Sequence, residues 1–190
     1  MRGSRLFLVA VAAEAVLAAI ALVWIRWRAL PVALGPPLAG LGLGVLAAGA
    51  LGVANYALLR LVPPVGPVRE VRLLYEETLR PLFAGARPHE AVGIALAAGI
   101  GEELLFRGAA QAEWGLVAAS VLFGVAHVGG RASLAFGAWV VVMGLALGGL
   151  AEVGGGVLAP VVAHAVYDAA AIEYIRRDRR EDSREDSNDG

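Results

Sequence analysis

Residues 6–25 form an apolar run of 20 residues interrupted only by Glu14. At about 1.5 Å of rise per residue, such a run crosses the roughly 30 Å hydrocarbon layer of a bilayer as one helix. Arg2 and Arg5 precede it, and Arg26 and Arg28 close it. The run is too long for the apolar part of a signal peptide, so it reads as a retained first span.

Five further stretches continue the pattern. Residues 38–59 carry one strongly polar side chain, Asn55. Residues 90–111, 114–128, 134–151 and 157–175 give a third to a sixth span, the fourth being short. Between the second and third spans, residues 68–82 have a different character. Val68, Val71, Tyr75, Leu79 and Leu82 recur at three and four, with Arg69, Glu70, Arg72, Glu76, Glu77 and Arg80 on the other face. That spacing predicts an amphipathic helix lying on the membrane surface. From residue 176 on, five Arg and six acidic residues mix with Ser, Asn and Gly, which predicts a disordered tail. The expected fold is all-α: a polytopic membrane helix bundle of about six spans with one cytoplasmic interfacial helix. Residues 1–175 form the membrane domain, and 176–190 the tail.

With an even number of spans both termini share one side. That side would hold thirteen of the 16 arginines, Arg131 among them. The positive-inside rule makes it the cytoplasmic side. The expected location is the plasma membrane of a prokaryote, with the lipid bilayer as one partner. Lysine is absent and the net charge is −1, so no basic face exists to bind nucleic acid. Cysteine is absent as well, which removes thiolate metal sites and cysteine catalysis. Gly40 with Gly44, and Gly144 with Gly148, have the small-xxx-small spacing that lets helices approach closely in lipid.

Ionisable groups within spans each cost at least ~2.5 kcal/mol near the bilayer centre, so they mark where function lies. There are seven: Glu14, Glu102, Glu103, Arg107, His127, His164 and Asp168. Glu103 and Arg107 are four apart, the favoured order for an intrahelical ion pair. Glu102 lies about 100° round the helix from that pair and is left without a partner. A desolvated carboxylate of this kind suits a general base near neutral pH. His164 and Asp168 are again four apart, so the carboxylate can orient the imidazole. Glu14 lies outside these groupings; it reads mainly as structural, with pairing to Arg107 or a histidine, or a water path, as alternatives. His89 reads as an exposed residue at a helix start.

The strings GEELLFRG, LFGVAH and HAVYD resemble the three motifs of the CPBP family of CAAX-processing and bacteriocin-processing intramembrane proteases. The family pattern is Glu-Glu-x-x-x-Arg, then Phe-x-x-x-His, then His-x-x-x-Asn or Asp. It falls on Glu102, Glu103 and Arg107, on Phe123 and His127, and on His164 and Asp168. The resemblance covers residues 88–175 and implies an endopeptidase acting on a membrane-associated protein or peptide. It implies Glu102 as the general base, with Glu103 and Arg107 holding the helix and the local field. His127 and His164, the latter oriented by Asp168, would divide between them the placing of water and the stabilising of the oxyanion. The favoured mechanism has no cofactor. The alternative is a zinc ion on Glu102, His127 and His164, with Glu103 then supplying the base.

Other hydrolase chemistries lack their residues. There is no His-Glu-x-x-His, and Asp168 has no second membrane aspartate to work with. Ser120 shares a face with His127 but lacks a G-x-S-x-G elbow. Outside proteolysis, two readings compete: a non-catalytic membrane adaptor or immunity protein of the same lineage, and a proton-coupled carrier, for which no paired repeat is visible.

Overall fold

The computed structural model describes the backbone of residues 2–129 and 134–188, and the side chains of 4–129 and 134–177. Arg131, one of the arginines in the orientation count, and the last two residues of the tail lie outside the described residues. Among those described there is no strand. The elements are α1 (Arg2–Arg28), α2 (Pro37–Tyr56), α3 (Pro67–Leu74), α4 (Arg80–Phe83), α5 (Pro88–Glu103), α6 (Gln111–Ala126), α7 (Leu134–Val153) and α8 (Leu158–Asn188). Wider π-helical turns at Ala57–Leu61, Tyr75–Leu79 and Leu104–Ala110 extend α2, link α3 to α4 and join α5 to α6.

Five of these runs are long and apolar enough to cross a membrane: Ser4–Arg28, Pro37–Leu61, Pro88–Ala126, Leu134–Val153 and Leu158–Arg177. Their outer faces carry the leucines and valines, such as Leu8, Val9 and Leu46, while Glu103, Arg107, Ser120 and His164 are buried inside. This inversion of the soluble pattern is what lipid as solvent requires.

The third run has 39 residues, about 58 Å if straight. It does not stay straight. Gly115 has φ +84° and ψ 169°, a conformation open to glycine, and the chain reverses there. The helix beyond it, 116–126, is about 16 Å long. The fourth of the expected spans is therefore a half-length helix, and the expectation of about six full spans becomes five long helices plus this short one. A second difference is at the C-terminus. The helix α8 continues to Asn188 over residues read from composition as a disordered tail. Neither glycine nor proline occurs between residues 161 and 189 to end it.

Glycines set the packing. Helices α1 and α5 run parallel, with Phe7 against Gly93 and Ile25 against Gly108. Helix α8 returns antiparallel along α5, where Gly99 meets Val161 and Ala165. Gly40 and Gly44 seat α2 on Leu158 and Val162 of α8, and Gly144 and Gly148 seat α7 on Ser120 and Leu116 of α6. Both expected glycine pairs thus serve contacts within the chain. The two ends of the chain meet one segment: Ser4 donates to Glu90 at 3.2 Å, and Arg176 donates to the Ala86 carbonyl at 2.7 Å. Both termini therefore stand at the same end of the bundle. The amphipathic segment lies at this end too, with Val71 and Leu74 buried and Arg69, Glu70, Glu76 and Glu77 exposed. His89 is exposed, as expected.

Candidate active site

Helix α5 ends on Glu102 and Glu103, and the π-helical turn that follows carries Arg107. The ion pair forms: Arg107 Nη1 donates to Glu103 Oε1 at 2.9 Å, with both side chains buried. Arg107 Nη2 donates to the Gly144 carbonyl of α7 at 3.2 Å. The guanidinium also lies 4.3 Å from the centre of the Phe123 ring, within cation–π range. Salt bridge, carbonyl bond and ring face together offset the burial of the charge.

His164, on α8, gives its nearer nitrogen to the same carboxylate oxygen: Nδ1 donates to Glu103 Oε1 at 2.7 Å. Its Nε2 lies 3.5 Å from Asp168 Oδ2 and 3.9 Å from Glu102 Oε2. The carboxylate that holds the ring is thus Glu103, across the bundle. Asp168, expected to orient the imidazole from its own helix, faces the other nitrogen. His127, in the turn that ends the short α6, donates Nδ1–H to the Phe123 carbonyl at 2.8 Å. Its Nε2 is 3.8 Å from Glu102 Oε2. Phe123 stands edge-on to Phe106, His127 and His164, at centroid distances of 4.9, 4.7 and 6.2 Å. The aromatic residue of the second motif therefore packs against Arg107 and both histidines.

Glu102 is the focus of this arrangement. Its Oε2 is buried and has no hydrogen-bond partner, yet faces the Nε2 atoms of both histidines. A cavity of about 780 Å³ opens here, between α2, α7 and α8, and reaches Tyr75, Leu79 and Phe83 of the surface segment. Glu102, His127, His164 and Asp168 line it. Glu103 and Arg107 do not: they sit behind its wall. The six candidates thus converge on one place but divide into four that face the cavity and two that support them. Sequence reasoning missed the apolar lining of Trp139, Met143 and Tyr167, whose residue types are unremarkable in a membrane helix.

The zinc alternative fits poorly. A tetrahedral zinc ion with bonds of about 2.05 Å sets its donors about 3.4 Å apart, against 3.8 and 3.9 Å here. Among the described residues no three His, Asp or Glu side chains are grouped to hold a metal ion. With Glu102 as a ligand, the base would have to be Glu103, which is fully buried with Oε1 already engaged by Arg107 and His164.

A family model described as type II CAAX prenyl endopeptidase Rce1-like matches residues 87–170. The matched stretch contains all six candidate residues. No curated protein and no solved structure matches the chain.

Proposed function

We propose, on the premise that residues 87–170 are an Rce1-like protease domain set in an integral membrane bundle, that the chain is an intramembrane endopeptidase using glutamate-activated water. Its substrates are membrane-associated proteins or peptides that reach the cavity. The observation that carries this reading is Glu102 Oε2: a carboxylate oxygen on the cavity wall, without a hydrogen-bond partner, facing two imidazole nitrogens.

In this mechanism Glu102 takes a proton from water, and the water oxygen attacks the peptide carbonyl carbon. His127 gives Nδ1–H to the Phe123 carbonyl. Its neutral ring therefore leaves an acceptor at Nε2, and this holds the attacking water. His164 in its doubly protonated form keeps Nδ1–H on Glu103 and offers Nε2–H to the oxyanion. The C–N bond then breaks, and Glu102 returns the proton to the amine nitrogen. Glu103 and Arg107 are positioning residues. They hold His164 and the end of α5 without touching substrate. The reading needs no metal, in keeping with the donor spacing.

The test compares protein termini across the membrane proteome of cells carrying the wild-type chain or Glu102→Gln at matched expression. Termini present with wild type and missing with the variant support the protease and name its substrates. Identical termini, with the variant inserted and folded, overturn it in favour of the adaptor. The cytoplasmic placement of both termini rests on arginine distribution and is open to labelling from either side of the membrane.

A further inference from the structure

One buried carboxylate is not used by this mechanism. Glu14 lies in the middle of α1 on a heptad-spaced stripe with Phe7 and Ala21, the face that meets α5. Phe7 fills the space over Gly93, and Ala21 is fully buried. At the place where another apolar side chain would continue the seam, the chain has a glutamate. Its Oε2 is buried and has no hydrogen-bond partner. It makes neither the salt bridge to Arg107 nor the histidine bond that were open from sequence, since Arg107 and His164 both engage Glu103.

Glu14 is aimed at the residue next to Glu102. A Cβ on Gly101 would lie 2.6 Å from the Glu14 carbonyl oxygen and 2.7 Å from its Oε2. Gly101 thus makes room for this carboxylate. Glu14 is within electrostatic reach of Glu102, His164 and Asp168. The other charged groups around Glu102 are Glu103 and Arg107 on its own helix and His127 from α6. Two buried carboxylate oxygens without partners, on adjacent helices, each lack a donor. An unsatisfied buried acceptor of this kind costs about 1–3 kcal/mol, and a polar pocket with two such acceptors suits a shared proton or water.

We propose that Glu14 is a positioning residue of the active site, coupled to Glu102 through a shared proton or water, so that the first span, outside the matched domain, completes the site. The proposal rests on Glu102 being the base. Glu14 itself does not touch the substrate, and the balance of the hydrolysis is unchanged.

The experiment has two arms. In cells, the termini that disappear with Glu102→Gln fall about tenfold in Glu14→Gln and recover in Glu14→Asp. Glu14→Leu, which a packing role would tolerate, behaves like Glu14→Gln. In purified protein in lipid nanodiscs, pH-difference infrared spectra identify each carboxyl band by its loss in the matching Gln variant. Coupling is reciprocal: the Glu102 band moves in Glu14→Gln, and the Glu14 band moves in Glu102→Gln. Should Glu14→Gln fail to insert, the Glu102→Gln spectrum decides alone, since loss of one band with the others unmoved overturns the coupling. Product termini at wild-type levels in Glu14→Leu also overturn it. If Glu102→Gln itself keeps the termini, the base assignment falls, whatever Glu14 does.

Discussion

Glu103 Oε1 accepts from two side chains that the chain brings together across 61 residues: Arg107 at 2.9 Å and His164 Nδ1 at 2.7 Å. One oxygen therefore ties the carboxylate helix to the histidine helix. The other oxygen, Oε2, is buried without a partner. The two glutamates of the pair are consequently unlike, although they are adjacent in the sequence.

Replacing them separates chemistry from stability. Glu102→Gln keeps the bundle and lowers cleavage by at least about 100-fold, the usual worth of a general base. Glu103→Gln leaves Arg107 buried without its carboxylate, a loss of about 3–5 kcal/mol. Thermal unfolding in detergent checks both: the midpoint holds for the first and falls for the second.

Asp168 is the more dispensable carboxylate. Since Glu103 holds Nδ1, Asp168→Asn leaves the His164 ring in place and lowers product formation by less than about tenfold. A loss as large as that of Glu102→Gln, in quantified product termini, would give Asp168 a direct part in the chemistry.

Phe123→Leu keeps apolar volume but removes the ring from beneath Arg107 and beside both imidazoles. A desolvated cation–π contact at 4.3 Å is worth about 2 kcal/mol. The variant should unfold at lower temperature and cleave more slowly.

Gly124→Ala tests the seat of α6. The added methyl would lie 2.3 Å from Val141 Cγ2 and 2.6 Å from the Gly137 carbonyl oxygen. Parting α6 from α7 costs about 1–3 kcal/mol by overpacking and displaces His127, three residues on. Product termini should vanish while the protein still inserts.

Chelation addresses the metal question. Treating membranes with a strong zinc chelator should leave product formation unchanged. Loss of activity that returns with added zinc would reinstate the ligand set of Glu102, His127 and His164.

Much of this was readable in one dimension. Hydropathy located the membrane helices, and the four-residue spacing of Glu103 and Arg107 is the ion pair seen. The three motifs do converge, because each lies on a helix packed against another through glycines. What escaped depended on the third dimension. His164 sits four residues from Asp168, but its closest carboxylate is on α5, and no local spacing reports that. The half-length of α6 follows from one backbone angle at Gly115. The parallel packing that brings Glu14 to Gly101 has no sequence signature, so Glu14 looked merely structural.

The π-helical turn at Leu104–Ala110 bears on how such a site tolerates change in chain length. A turn of this kind is the form a helix takes when it accommodates one extra residue without breaking. Upstream of it the carboxylates have one angular phase; downstream, the helix leading to Gly115 and His127 has another. Deleting a single residue there would let the helix relax to the ordinary α pitch and rotate all that follows by about 100°. The two halves of the site would then face different directions, with every motif still intact.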